Sequence, residues 1–238
     1  MEKQSLYQQI RQDLRTPWRN DPAINSKIEL FTNYPGVWAL INYRIANRFY
    51  KRGWKIFARF IMGMSQLCTN IDIHPGCTIG KRVFIDHGIG VVIGETAVIE
   101  DDVLIYQGVT LGGVSLDRGV KRHPTIKKGA VIGGGAKILG NITIGANARI
   151  GANSVVIKNV PPDSTAVGIP ARVIVKGKDK GLLSHNKIPD INKQLFIYLV
   201  KRLAVLEDAI MNHDEDVIIE KDRELEHIYE QFIKTIEE

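Results

Sequence analysis

The sequence predicts an α+β chain in which an N-terminal α-helical segment, a parallel β-helix with an extruded loop, and a C-terminal helical tail follow one another. Three observations carry this reading. Aliphatic residues recur every six positions through the middle of the chain, that phase breaks in two places, and the flanking segments set apolar residues at helical spacings. The expected division is 1–66 for the helical segment, 67–175 for the β-helix with its loop at 112–125, and 176–238 for a linker and the tail.

In the N-terminal segment, Val37, Leu40, Ile41, Ile45 and Phe49 stand three and four residues apart, and Gly53 offers a C-terminal stop. A helix is predicted there. The middle zone is different in kind. Ile73, Ile79 and Ile85 form one run, Ile93, Ile99, Ile105 and Leu111 a second, and Ile126, Ile132, Ile138, Ile144, Ile150 and Val156 a third, all with a period of six. Neither a helical period near 3.6 nor simple alternation produces a strict six, so a repeat architecture is indicated.

Small or short residues lie two positions before many of these aliphatics (Cys77, Ala97, Ala130, Ala136, Ala148, Ser154), and glycine often follows (Gly80, Gly94, Gly112, Gly133, Gly145, Gly151). If each hexad is one flat side of a triangular prism, the aliphatic points inward, the small residue fits near a corner, and glycine makes the turn. Three hexads complete a coil, stacked coils pair their strands in parallel, and roughly four coils are expected.

The breaks are where side chains can leave this frame. Between Ile85 and Ile93 the phase slips by two residues at Asp86-His87-Gly88-Ile89-Gly90, and Gly112 to Thr125 has no hexad at all. The latter should be an extruded loop. In the tail, Ile191, Leu195, Tyr198, Leu199, Leu203, Leu206 and Ile210 lie on one helical stripe, and Leu225, Ile228, Phe232 and Ile236 mark a further helix. These stripes read as packing faces, with oligomerisation as one use.

Composition excludes several classes. A chain of 238 residues with 44% hydrophobic and 24% charged content is that of a globular protein rather than a disordered one. No apolar run approaches the roughly 20 residues of a membrane span, and Met1 to Arg15 lacks the apolar stretch of a secretory signal, so no membrane association and a cytoplasmic location are expected. The formal charge of +6 is spread without a nucleic-acid module, so a small polyanionic ligand is a better match than nucleic acid. Cys68 and Cys77 form neither a disulfide framework nor a metal cluster and read as packed thiols.

Chemistry concentrates at the breaks. His87 sits in the phase slip, fifteen residues after Asp72 on a frame whose coil is about eighteen long, so the two can meet on adjacent coils. A carboxylate beside an imidazole fixes its tautomer and stabilises the imidazolium, which makes His87 a candidate general base for a hydroxyl. Where the loop rejoins the frame, Arg122 and His123 precede Pro124. A guanidinium is fitted to grip a carboxylate through two hydrogen bonds, so Arg122 is a candidate for holding an amino acid.

Asp72-Ile73-His74-Pro75, Asp86-His87-Gly88, Val92-Ile93-Gly94-Glu95-Thr96, Gln107 to Gly113, Lys121-Arg122-His123-Pro124, Gly135 to Asn141, and the closing Gly168-Ile169-Pro170-Ala171-Arg172 together resemble the serine O-acetyltransferase family of the hexapeptide-repeat acyltransferases. The resemblance implies a left-handed coil, a homotrimer with active sites between subunits, and transfer of acetyl from acetyl-CoA to the L-serine hydroxyl, the first step of cysteine biosynthesis. It also implies that His87 is the base with Asp72 as its partner, that Asp86 contacts the substrate ammonium, Arg122 its carboxylate and His123 the serine. Acetyl-CoA would lie near Gly113, Gly134, Ala152 and Arg172, with backbone N–H groups such as that of Gly113 stabilising the oxyanion and with no metal.

Three departures qualify this. The N-terminal region is about half that of the family's long form, which favours a trimer over a hexamer. The stretch Val114 to Val120 differs from the family's glycine-rich version and is one residue longer, which bears on acceptor choice between serine and another hydroxyl such as homoserine or a sugar. The family's C-terminal isoleucine is absent from Thr235-Ile236-Glu237-Glu238, so no complex with the sulfhydrylase is expected by that mode. Two other readings of the frame are a zinc hydratase using His74, His87 and His123, and a non-catalytic scaffold.

Overall fold

The computed structural model describes residues 5–174, 196–204 and 206. Four helices open the chain: α1 (Leu6–Asn20), α2 (Glu29–Thr32), α3 (Pro35–Lys51) and α4 (Lys55–Thr69). They lead into a left-handed parallel β-helix with three sides. The first side stacks β1 (Asp72–Ile73), β4 (Val92–Ile93), β7 (Thr110–Gly112), β10 (Lys137–Leu139) and β13 (Val155–Val156). The second stacks β2 (Thr78–Ile79), β5 (Val98–Ile99), β8 (Thr125–Ile126) and β11 (Thr143–Ile144). The third stacks β3 (Phe84–Ile85), β6 (Leu104–Ile105), β9 (Val131–Ile132), β12 (Arg149–Ile150) and β14 (Thr165–Gly168), closed by an antiparallel β15 (Ala171–Ile174).

Register follows the hexads. Ile73 pairs with Ile93, Ile93 with Leu111 and Leu111 with Ile138, so inward aliphatics stack coil over coil. Every one of the thirteen hexad aliphatics is buried, as are the small residues two positions before them. The first side has five strands, one more coil than the roughly four expected. The extra coil was hidden because Val160, which bridges to Ile144 on the second side, stands four residues after Val156, where the six-residue period has already stopped.

Two of the corners turn through left-handed backbone in every coil. Arg82, Asp102, Gly129, Asn147 and Asp163 mark the second-to-third corner, and Gly90, Gly108, Gly135 and Asn153 the third-to-first, all with positive φ. Glycine, asparagine and aspartate tolerate this region best, which explains most of that column. At Gly135 there is a second reason, since a Cβ would lie 2.1 Å from Asn153 Oδ1 in the next coil.

The N-terminal helices cap the open end of the prism. A first coil leaves backbone carbonyls with no preceding coil to bond them, and polar groups on α3 take that place. Tyr43 Oη donates to Cys77 O (2.7 Å), Asn47 Nδ2 to Pro75 O (2.7 Å), and Arg44 Nη1 and Nη2 to Ile79 O (2.6 Å) and Gly80 O (2.7 Å). Arg44 is itself held by the buried Asp13 of α1, Nε to Oδ2 at 2.9 Å. The buried face of α3 therefore runs through Leu40, Tyr43, Arg44, Ala46 and Asn47, while Ile41, Ile45 and Phe49 of the expected stripe are only half-buried. Gly53 (φ +91°) does end the helix.

Burial pushes the Cys77 thiol up to about 12, in keeping with a packed side chain. Cys68 corrects the expectation for the pair: it is exposed on the outward side of α4, near Met64 and Leu67. In the C-terminal unit, residues 196–204 and 206 are helical as the stripe predicts, and the stripe from Leu225 to Ile236 lies outside the described residues. Among the described residues no helix is long and apolar enough to cross a membrane.

Candidate active site

The phase slip inserts two residues, His87 and Gly88, at the third-to-first corner of the first coil, both with positive φ (+57° and +76°). The insertion is closed by Gly88 N donating to Asp86 O and Gly90 N to Asn70 O (2.8 Å). The His87 side chain is exposed at this corner and that of Asp86 is half-buried. Burial raises the Asp86 carboxyl, His87 opposes that, and Asp21 adds to it, so Asp21 faces Asp86. Asp21 caps the end of α1 and is held by Tyr34 Oη (2.5 Å) and Ala23 N (2.8 Å).

Gly112 to Thr125 leaves the first-to-second corner as the predicted loop, and its return is tied down on the corner of the coil below. Lys121 Nζ donates to the carbonyls of Thr96 (2.7 Å), His123 and Pro124 (3.3 Å). The Thr96 hydroxyl accepts from Arg122 N (3.0 Å) and His123 N (3.1 Å). Arg122 Nη2 approaches Glu95 Oε2 (3.6 Å), its Nη1 donates to Ser115 O (3.3 Å), and Glu95 Oε1 accepts from Tyr50 Oη of α3 (3.0 Å).

The His123 ring packs against Gly94, where a Cβ would come within 2.0 Å of Cδ2 and Nε2, and its Nε2 faces Gly113. Burial lowers its pKa, and Arg122 and Lys121 lower it further. His74 stands on the same side of the prism, its ring edge-to-face with Tyr50 at 5.5 Å, with Gly76 N donating to its Nδ1 (3.0 Å). Its pKa is likewise below the ordinary histidine value, through burial and then Arg59.

The candidates thus divide between two corners. Asp86, His87, Gly134 and Ala152 line the third-to-first corner, where Gly135 N donates to Gln107 O and Asn153 N to Gly134 O (2.8 Å each), stacking one coil on the next. Gly113, Arg122 and His123 gather at the first-to-second corner, and the strand β4 with its flanks separates the two groups. Asp72 lies on β1 next to the slip, but among the described residues no hydrogen bond joins it to His87, and its charge acts on His74 instead. Arg172 sits on β15 opposite Val167. Because His87 is a side away from His74 and His123, the three histidines do not converge as a zinc site needs, and no metal-holding group appears among the described residues.

Asp21, Glu95, Thr96 and Arg149 were not anticipated. Among the described residues, Arg149 carries a buried Nη1 with no hydrogen-bond partner, which marks it as a donor available to a ligand. Glu95 and Thr96 lay within the stretch that carries the family resemblance, so they were visible; Asp21 and Arg149 follow no local pattern.

Residues 123–158 match the bacterial transferase hexapeptide (six repeats) model. The chain is 45% identical over 214 residues to the serine acetyltransferase of Bacillus subtilis, across 89% of this chain and 98% of the relative. It superposes on soybean serine acetyltransferase complexed with serine with a TM-score of 0.68 and 44% identity, covering 71% of this chain and 70% of that one. A serine acetyltransferase in complex with CoA superposes with a TM-score of 0.66 and 40% identity, covering 71% and 70%. With this identity over almost the whole of a relative, and with the slip and loop that distinguish the site, the chain belongs to the serine acetyltransferase family.

Proposed function

We propose that this protein transfers the acetyl group of acetyl-CoA to the hydroxyl of L-serine. The observation that carries the reading is the extended identity to serine acetyltransferases, two of which hold serine and CoA in their solved structures. His87, exposed at the corner, takes the proton as the serine oxygen attacks the thioester carbon; the C–S bond then breaks and the proton passes to the departing thiolate of CoA. Asp72 orients the imidazole once the substrates draw the pair together, since catalytic hydrogen bonds tighten in the complex.

The paired carboxylates of Asp86 and Asp21 suit an ammonium group, which would relieve the burial cost at Asp86. Arg122 suits the substrate carboxylate. Since His87 and Arg122 occupy different corners of one chain, a single serine meets both only where the slip corner of one copy faces the loop corner of another, as in a homotrimer with sites between subunits. The orphaned guanidinium nitrogen of Arg149, with Arg172, is suited to the phosphates of acetyl-CoA, which would pass Gly113, Gly134 and Ala152 along the corners. A cytoplasmic location fits these substrates.

The test is thiol release from acetyl-CoA with L-serine, L-homoserine or no acceptor. Serine-dependent release well above the other two is expected. Equal release with homoserine would move the acceptor assignment, and none with any hydroxyl would remove it.

A further inference from the structure

We propose that Thr96 is a positioning residue for this transfer: by accepting the Arg122 and His123 amide protons and giving its own proton to His123 Nδ1, it presents His123 to the substrates only as an Nε2–H donor. The inference rests on the acetyl-transfer reading above.

A threonine hydroxyl has one proton to donate and two lone pairs. Both lone pairs are taken, by Arg122 N at 3.0 Å and His123 N at 3.1 Å. The 2.9 Å contact between Thr96 Oγ1 and His123 Nδ1 is therefore one in which the hydroxyl donates. Thr96 N–H points at the same nitrogen from 3.2 Å. With two donors aimed at it, Nδ1 has no room for a proton of its own. A neutral imidazole then carries its proton on Nε2, and the imidazolium would set donor against donor. The depressed pKa of His123, from burial and from Arg122 and Lys121, works in the same direction.

Nε2 faces Gly113, which the acetyl-transfer reading places beside acetyl-CoA. It also packs against Gly94, and a Cβ on either glycine would crowd it. Lys121 holds the loop return against the Thr96 carbonyl, which fixes the distance over which the hydroxyl acts. His123 is thus unable to share the role of base with His87. It serves as a fixed N–H donor to the substrate oxygen or to the oxyanion that forms from the thioester.

Long-range 1H–15N correlation of the histidine side chains, with His123 assigned through His123→Ala, reads the tautomer in the intact wild-type protein at pH 7.5. A pyrrole-type Nε2 and an acceptor-type Nδ1 are expected; the reverse pattern, or an imidazolium, overturns the proposal whatever the variants do. Thr96→Val keeps the backbone N–H that faces Nδ1 but removes the hydroxyl that ties the Arg122 and His123 amides, so it should lower kcat for serine by roughly 10- to 100-fold while the KM for acetyl-CoA stays within about twofold. Thr96→Ser should restore kcat. Retention of wild-type kcat in Thr96→Val, or no rescue by serine, would also overturn it. If wild type shows the expected tautomer but no serine-dependent thiol release, the acetyl-transfer reading has failed and the tautomer lock stands.

Discussion

His87 turns the chain with φ +57°, but among the described residues six other non-glycine residues share the left-handed region, most of them at plain corners, so the backbone itself does not single it out. What singles it out is placement: it is one of two residues that the slip adds to a corner which elsewhere needs none, and its ring is exposed there. His87→Ala should lower kcat roughly 10²- to 10⁴-fold while calorimetric binding of acetyl-CoA persists, because a base acts on the proton in flight and not on the cofactor. Turnover near wild type would remove His87 from the reaction. Gly94 makes the complementary point about a residue with no side chain. Gly94→Ala would put a Cβ within 2.0 Å of the His123 ring, so the ring must leave its seat. Loss of more than about tenfold in kcat is expected, because the Nε2–H donor is displaced with the ring.

At the scale of the element, α3 is a cap built from polar residues on a buried face. Its stripe in the sequence is Val37, Leu40, Ile41, Ile45 and Phe49, of which Val37 and Leu40 are buried and the other three half-buried, and the structure turns Tyr43, Arg44 and Asn47 inward as well because the first coil has carbonyls to satisfy. Burial raises the Asp13 carboxyl and Arg44 opposes that, so each depends on the other. Arg44→Ala should lower unfolding stability by about 3–5 kcal/mol, because it leaves a buried carboxylate and two carbonyls without a donor. Asp13→Asn combined with Arg44→Met should recover part of that loss in a denaturant titration. If the double variant is less stable than Arg44→Ala, the uncompensated charge is not the cause.

For the whole molecule, the decisive fact is that the two breaks emerge at different corners of the same side. A site that needs both is open to a test by mixing. Co-expressed His87→Ala and Arg122→Ala chains, each inactive alone, should regain about a quarter of wild-type activity, since in a randomly assembled ring one interface in four unites an intact His87 corner with an intact Arg122 corner. Continued inactivity in mixed oligomers would place the whole site within one chain. Sedimentation equilibrium gives the number of copies directly, with three expected.

The sequence alone determined the prism, its inward residues, the slip and the loop, because a six-residue period is a local property: each side chain's direction follows from its place in the hexad, whatever lies elsewhere. It failed where the period failed, at Val160, and so undercounted the coils. The chemistry-bearing residues His87, Arg122 and His123 were legible as exceptions to the pattern. Their surroundings were not. Thr96 and His123 are 27 positions apart, Asp21 faces Asp86 from another helix, and the side of α4 that carries Cys68 is turned outward by how that helix packs. Such contacts join elements that share no period, so only the folding of the loop and of the capping helices onto the prism could decide them.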